Sequence, residues 1–371
     1  MSAKFQELKE WYESHESPIS ALSLLFGFVF DSLTLQRIDA LGDNLWLASN
    51  LVLVGLIIAL LNRQEVLASA TSGSPRQEAV ESGRHFWLFN FLQFGIGNIL
   101  GGFFILYFRS GTIATSWPFM LLLLAALVSN ELYLKRYPRL VFQAAFFYLA
   151  LFSFLIYLVP IFLHSIGRGI FLLSGVASLI LFWLFAKTLR KFIGKKFRKS
   201  ERPLWAAVGV IFVSVNLLYF ANLIPPIPLS LKDAGIYQYL SHDSRGGYVL
   251  GEEERKLTDY LSFYRTVRLA PGDPLYVYSA IFSPAELDTR IIHEWQYRDE
   301  ETGEWMVATR IPLLLSGGRA EGFRTYSVKE NAAAGLWRVN IETPRGQILG
   351  RLNFRVVHAD SRPALRYEVK N

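Results

Sequence analysis

The chain has 371 residues, of which 52% are hydrophobic, and a formal net charge of +7. It contains no cysteine, which excludes disulfides, thiolate nucleophiles and cysteine-ligated metal sites. The net charge lies entirely in residues 1–223, which hold 19 Lys and Arg against 12 Asp and Glu, while residues 224–371 hold 19 of each. Because the C-terminal half has no net positive charge to attract nucleic acid, we expect no nucleic-acid partner.

Residues 18–223 form a succession of apolar segments that are long enough to cross a lipid bilayer. About 20 apolar residues in a helix span the roughly 30 Å of hydrocarbon. A polar segment, residues 1–17, precedes them, and no signal-peptide cleavage pattern follows the first apolar run, so we predict that the first span is retained as an anchor. The loop charges described next predict that residues 1–17 are cytoplasmic. We predict a polytopic α-helical membrane bundle of about seven spans: 18–36, 44–62, 86–108, 112–132, 139–163, 169–187 and 204–223.

Basic residues between the predicted spans indicate how the bundle is oriented. With a cytoplasmic N-terminus, the inner segments hold sixteen Lys and Arg and the outer loops hold three. Eight of the sixteen are clustered between Lys187 and Arg202, directly before the last span. Because short basic segments remain on the cytoplasmic side, an odd number of spans places the C-terminal domain outside the cytoplasm.

A few polar residues lie inside the predicted spans and form a candidate membrane site: Asp31, Gln93, Asn98 and Glu131. Polar and ionisable groups are costly in a bilayer, which makes them functional candidates. The competing interpretation is helix packing, because Gly97 and Gly101 would present one face without side chains to a neighbouring helix. Both interpretations remain open at the level of sequence.

Three prolines, Pro225, Pro226 and Pro228, end the membrane pattern and begin a junction and surface segment, residues 224–270. From about Pro274 the apolar period changes to two, and turn signals separate short segments without intervening helices. This pattern predicts an exported, immunoglobulin-like antiparallel β-sandwich over residues 271–371. The predicted strands are 276–282, 290–297, 305–314, 323–328, 336–342 and 348–357.

The exported domain contains no zinc-protease, nucleophile-elbow or phosphate-loop motif, so we expect no cofactor and no metal, and the sequence favours a non-enzymatic protein. Five residues form a candidate interaction or bracing site: His293, Trp295, Arg324, Ser327 and Trp337. The tryptophans suit either core packing or a glycan-stacking platform. The Arg324 guanidinium suits either bracing a loop or binding an anionic partner.

Several short motifs occur together in this half of the chain. They are His293-Glu294-Trp295, the run from Gly317 to Ser327, Gly335-Leu336-Trp337-Arg338-Val339, and Gly346-Gln347-Ile348-Leu349-Gly350. Together with the proline junction, this set resembles the bacterial membrane protein family that carries the domain of unknown function 2914. The resemblance implies a bacterial envelope protein with a C-terminal β-domain, and it implies no activity and no catalytic residues.

Two hypotheses of function follow. In the first, the chain is a bacterial inner-membrane protein whose periplasmic β-sandwich is a non-enzymatic binding or scaffolding module for an envelope protein or glycan. In the second, the helical bundle itself acts as a transporter, a channel or a lipid-handling protein. Convergence of the polar span residues on one cavity would favour the second. The lipid bilayer is a partner in both, and both are compatible with a homo-oligomer.

Overall fold

The computed structural model describes residues 41–71, 83–110, 113–132, 140–226, 228–243, 246–254, 264–284, 289–316 and 321–370. The chain divides into two compact units. The helical unit consists of Met1–Phe108 and Trp117–Ala221, and the β unit consists of Asn222–Asn371 together with Arg109–Ser116. The coarse prediction of an N-terminal helical part and a C-terminal part with antiparallel sheets is confirmed.

The helical unit contains long apolar helices: α1 (Leu41–Thr71), α2 (Gly83–Ser110), α3 (Ile113–Leu132), α4 (Leu140–Phe162) and α5 (Arg168–Phe220). Among the described residues, four helices are long and apolar enough to cross a membrane by length and composition: α1, α2, α4 and α5. The apolar part of α3, Ser116–Leu127, is shorter. The predicted count of about seven spans is therefore not supported, and the first predicted span, residues 18–36, lies outside the described residues.

Helix α5 is a hairpin of two antiparallel arms. At Gly194 the backbone leaves the helical region, with φ 44° and ψ −109°. A straight helix of 53 residues would extend about 80 Å, yet the rings of Phe182 and Trp205 lie 5.7 Å apart. Arg190 and Glu201 form an ion pair of 3.6 Å across the bend. The basic cluster of residues 187–202 therefore occupies the tip of this hairpin.

The β unit contains eleven strands within its described residues, arranged in three sheets. Its strands are β1 (Ser230–Tyr237), β2 (Tyr239–His242), β3 (Tyr248–Glu253), β4 (Arg265–Leu269), β5 (Leu275–Phe282), β6 (Thr289–Arg298), β7 (Trp305–Leu315), β8 (Phe323–Lys329), β9 (Gly335–Glu342), β10 (Ile348–His358) and β11 (Leu365–Lys370). The large sheet has the order β4-β10-β9-β6-β7, the middle sheet β1-β5-β8, and the small sheet β11-β3-β2.

The middle sheet is covered on both faces, and the alternation of its side chains shows how. On β1, Ile236 packs into a core shared with Trp295 and Phe354 of the large sheet. The next residue, Tyr237, packs into a second core with Leu250 of the small sheet. Because successive strand residues point to opposite faces, the three sheets stack in the order large, middle, small.

Six of these strands, β5 to β10, lie where the period-two pattern predicts them. An immunoglobulin-like two-sheet arrangement is not confirmed: there are three sheets, and β4 pairs with β10 in parallel. The predicted junction, residues 224–270, contributes β1 to β4. Strand β1, Ser230–Tyr237, has no regular alternation, because Lys232 and Asp233 are adjacent and only its last residues, Gly235 to Tyr237, are buried in succession.

Candidate functional site

A buried hydrogen-bonded hub joins the large sheet to the middle sheet. The imidazole of His293 lies between two serine hydroxyls, with Nε2 2.9 Å from Ser279 Oγ and Nδ1 2.9 Å from Ser327 Oγ. Trp295 Nε1 donates to Ser327 Oγ at 3.0 Å. His293 and Trp295 are on β6, while the serines are on β5 and β8. The hub therefore ties three strands of two sheets together across the core.

Burial decides what this hub can do. His293, Ser279 and Trp295 have no accessible surface, and Ser327 is 3% exposed. Desolvation lowers the pKa of His293 to about 4, so the ring is neutral at pH 7. A serine beside a histidine is the arrangement of an activated nucleophile, but no substrate reaches groups that are closed to solvent. The hub stabilises the packing of the sheets.

Of the five predicted residues of the β unit, four lie together. Trp337 completes the group with His293, Trp295 and Ser327, because its ring meets that of Trp295 edge-on at 6.5 Å. Trp337 Nε1 donates to Ala333 O at 2.8 Å, and only 4% of the residue is exposed. Both tryptophans are core residues, and their rings are not available as a stacking platform for a glycan.

Arg324 lies apart from the other four. Its Nη2 is 3.1 Å from Glu321 Oε2, in the turn that leads into β8. The guanidinium thus braces that turn. Its side chain is only 14% exposed, whereas that of Glu321 is 80% exposed.

The structure reveals a second polar group on the outer face of the large sheet, the face turned away from the middle sheet. One row crosses four strands in register: Arg351 on β10, Asn340 on β9, Glu294 on β6 and Arg310 on β7. Arg351 Nε donates to Asn340 Oδ1 at 2.7 Å, and Asn340 Nδ2 donates to Glu294 Oε1 at 3.3 Å. Arg310 Nε closes the row 2.7 Å from Glu294 Oε2.

Arg310 bridges two carboxylates. Besides Glu294, it contacts Glu342, with Nη2 3.0 Å from Oε1. The two glutamate side chains are 8% and 5% exposed, while the arginine side chain is 56% exposed. Burial, and then the neighbouring charge of Glu294, raise the pKa of Glu342, while Arg310 opposes that rise. The guanidinium is thereby held in one orientation at the surface, where it neutralises the two buried carboxylates.

Strand β7 is an edge of the large sheet, and its outer face is unusually apolar. Val307 and Leu314 are 53% and 74% exposed on either side of Arg310. Pro312 lies between Arg310 and Leu314 and has no N–H to donate, which prevents continuous pairing with an added strand. Near the other end of β7, the guanidinium of Arg338 covers the ring of Trp305 at 4.3 Å. We call Trp305, Val307, Arg310, Pro312 and Leu314 the β7 face.

Sequence reasoning missed the β7 face and the row behind it. A signal existed in the alternation of polar residues along β6 and β9. That signal has no meaning until the register between the strands is known, because a register shift of one residue exchanges the two faces. Glu294, for example, was noted in the sequence only as part of the motif His293-Glu294-Trp295.

The helical unit contains its own buried polar cluster. Asn62 Nδ2 donates to Gln143 Oε1 at 2.7 Å, and Lys196 Nζ donates to Asn62 Oδ1 at 2.7 Å. Lys196 also pairs with Glu65. Asn62 and Gln143 have no accessible surface. The cluster fixes the hairpin tip of α5 to the end of α1 and the start of α4.

The predicted membrane site is only partly described. Asp31 lies outside the described residues, as do the side chains of Gln93 and Glu131, although their backbones lie in α2 and α3. Asn98 is half-buried in α2. Close packing of this helix is seen at Gly95, where a Cβ would lie 2.7 Å from Val54 of α1. Among the described residues, no group of three His, Asp or Glu side chains could hold a metal ion.

The β unit is defined by its architecture as a β domain of stacked sheets, in which β4 and β10 are paired in parallel and the other pairs of described strands are antiparallel. A family model described as a protein of unknown function, DUF2914, matches residues 288–356. Residues 288–356 thus match the DUF2914 domain that the motifs indicated, and the bacterial and membrane parts of that resemblance stay predictions. The match contains β6 to β9 and most of β10, and with them His293, the polar row and the whole β7 face.

A search of curated proteins found no match to the chain. Among solved structures, a β-glucosidase from Listeria innocua in complex with gluconolactone is 12% identical, with a TM-score of 0.19 over 32% of this chain and 17% of that chain. The alkylpurine DNA glycosylase AlkC of Pseudomonas fluorescens, bound to DNA containing an abasic site analog, is 10% identical, with a TM-score of 0.19 over 83% of this chain and 98% of that chain. Similarity at these TM-scores supports no argument about fold or function.

Proposed function

We propose that the chain is a non-enzymatic protein of the bacterial inner membrane whose β unit, in the periplasm, binds an envelope protein through the β7 face. The helical unit serves as the anchor. Its apolar helices have the length and composition of membrane spans. The hairpin tip of α5 carries the basic cluster, and such clusters remain in the cytoplasm. The opposite end of that hairpin, at Phe220, leads into the β unit.

The observation that carries the proposal is the orientation of Arg310 by two buried carboxylates between exposed apolar side chains. Protein interfaces are enriched in arginine, tryptophan and other large side chains, with a few fixed groups supplying most of the affinity. A guanidinium that is already held in place loses little rotamer freedom on binding. Val307 and Leu314 supply the apolar area beside it.

A protein partner fits the β7 face better than a glycan. A glycan site needs an open aromatic ring, but the ring of Trp305 is covered by Arg338. The exposed residues that remain are aliphatic on either side of a charged group. This composition matches the centre of a protein interface, and because of Pro312 the contacts are made by side chains and not by an added strand.

Site-specific photo-crosslinking in intact bacteria tests the proposal. A benzoylphenylalanine at position 307 should capture one discrete protein, and the substitution Leu314→Asp should abolish the adduct. Tyr367→Asp is the matched control, because Tyr367 is 57% exposed on β11 of the small sheet. The captured protein, once purified, should bind the detergent-solubilised wild type and not the Leu314→Asp variant. An adduct that persists in Leu314→Asp, or a glycan in place of the protein, would contradict the proposal.

A further inference from the structure

A separate concavity of about 280 Å³ lies between the middle and the small sheets. Tyr278 of β5 and Asp233 of β1 line it on one side, and Glu368 and Lys370 of β11 line it on the other. Arg324 of β8 and Glu321 of the preceding turn complete it. Its volume is below the roughly 300–1,000 Å³ of sites for drug-sized molecules, so any ligand must be small.

The two cations of this concavity have very different partners. Lys370 Nζ is 2.5 Å from Asp233 Oδ2 and 2.8 Å from Glu368 Oε1, so it is held by two carboxylates of the wall. Burial alone would lower the pKa of Lys370, but its hydrogen bonds to these carboxylates raise it overall. Lys370 is therefore charged and already neutralised.

Arg324, in contrast, is fixed in the wall but paired with an exchangeable group. Its side chain is 14% exposed, and its partner Glu321 is 80% exposed. An ion pair whose carboxylate is open to solvent is weak, so water or another carboxylate can replace Glu321 at little cost. Directly opposite Arg324 on β5 is Ala280, whose small side chain leaves room beside the guanidinium.

Tyr278 forms part of the same wall. It is 1% exposed, and its ring lies 6.0 Å from Lys370 Nζ. Burial raises the pKa of Tyr278 to about 12, although the charge of Arg324 opposes the rise. Its hydroxyl is therefore protonated at neutral pH, and the tyrosine contributes an uncharged part of the wall between Arg324 and Lys370.

We infer that this concavity binds a small zwitterion of the amino-acid type, whose carboxylate takes the place of Glu321 on Arg324. A planar guanidinium binds a carboxylate through two parallel hydrogen bonds. The other ionised groups of the site comprise three carboxylates and one lysine, which favours a ligand that carries an ammonium group next to its carboxylate. Glu321 then competes with the carboxylate of the ligand for the guanidinium of Arg324. This inference is independent of the β7 face.

The test is binding of three probes to the purified full-length protein in detergent, measured by titration calorimetry. L-alanine has both charges, acetate has only the carboxylate, and ethylammonium has only the cation. We expect alanine to bind at least tenfold more tightly than acetate and ethylammonium not to saturate. Equal affinities for alanine and acetate, or no alanine binding at all, would overturn the assignment.

Two substitutions with opposite expected effects on alanine affinity distinguish a ligand-binding role of Arg324 from a role in bracing its turn. Glu321→Gln removes the competitor and should tighten alanine binding severalfold, whereas Arg324→Gln should weaken it at least tenfold. Arg362→Gln is the matched control, because Arg362 makes an exposed ion pair with Asp273 away from the site, and it should leave binding unchanged. If Arg324 only braces its turn, Glu321→Gln will not tighten binding. That outcome is decisive even if Arg324→Gln fails to fold.

Discussion

The rings of Phe171 and Tyr219 stack with their centroids 3.5 Å apart and their planes 1° from parallel, although the two residues lie near opposite ends of α5. A second ring contact between the two arms joins Phe182 and Trp205, whose centroids are 5.7 Å apart. At Gly194 the backbone has φ 44° and ψ −109°, outside the helical region. The bend there and the ring contacts between the arms show that α5 consists of two antiparallel helices.

Chemical crosslinking provides a direct check of the hairpin. Because the chain has no cysteine, the double variant Arg190→Cys/Glu201→Cys is labelled only at the introduced sites. A straight helix would separate these positions by about 16 Å, whereas the native side chains meet at 3.6 Å. We expect a short bismaleimide to join them, and mass spectrometry after trypsin digestion to find the two peptides linked. Arg168→Cys/Glu201→Cys should give no linked peptide, and equal linkage in both variants would contradict the hairpin.

The buried hub predicts different costs for its two serines. Ser327→Ala removes the partner of both His293 and Trp295, whereas Ser279→Ala removes one partner of His293 only. An unsatisfied buried polar group costs about 1–3 kcal/mol. We expect Ser327→Ala to lower the free energy of opening of the β unit by about 2–4 kcal/mol and Ser279→Ala by about half of that. Hydrogen exchange of the β6 amides measures both, and a larger loss in Ser279→Ala would be inconsistent with the hub.

The stability of the β unit should fall in mild acid because of His293. Its native pKa, lowered to about 4 by burial, lies below the ordinary value of 6.5. Between these values the unfolded chain binds a proton that the native state does not, so stability decreases as pH falls. The slope approaches about 1.4 kcal/mol per pH unit. The His293→Gln variant should be less stable than the wild type at pH 7. It should lose less stability than the wild type on acidification to pH 4.5, as measured by hydrogen exchange. Parallel pH profiles would show that His293 is not responsible.

Arg310 should contribute more to the stability of the β unit at high pH than at low pH. In Arg310→Gln, Glu294 and Glu342 remain close together without their shared cation. The pKa of Glu342, already raised by burial, will rise further, so its carboxyl binds a proton more readily in the native state. In this variant, Glu342 contributes to stability when the pH is below the pKa of its carboxyl in the unfolded chain. That contribution is lost as the pH rises through the higher pKa of the native state. We expect a loss of about 1–3 kcal/mol at pH 8, discounted for the exposure of the arginine, and less at pH 5.

A second substitution distinguishes this electrostatic effect from lost packing. Arg310→Gln/Glu342→Gln should recover part of the stability at pH 8, because it removes one of the two anions. Urea unfolding of the wild type and the two variants at both pH values measures how much of the free energy of unfolding is recovered. A double variant less stable than Arg310→Gln at pH 8 would indicate that packing dominates.

Local pattern was sufficient where short apolar segments are separated by turn signals. Strands β5 to β10 were predicted from such segments. The DUF2914 domain was recognised from motifs that include several within residues 293–350, and the match to residues 288–356 confirms the domain. Strand β1 was not predicted, because its sequence from Ser230 to Tyr237 has no regular alternation and places Lys232 and Asp233 side by side.

The sequence by itself determined that an apolar helical part precedes a β part, the positions of most large-sheet strands, and the residue types available for sites. Only the tertiary structure decided which of those residues meet. His293 joins Ser279 and Ser327, Arg310 joins Glu294 and Glu342, and Arg324 lies in a different place altogether. The reason is register and sheet stacking: the contacts are made between distant strands, and a shift of one residue in any pairing would exchange buried for exposed side chains.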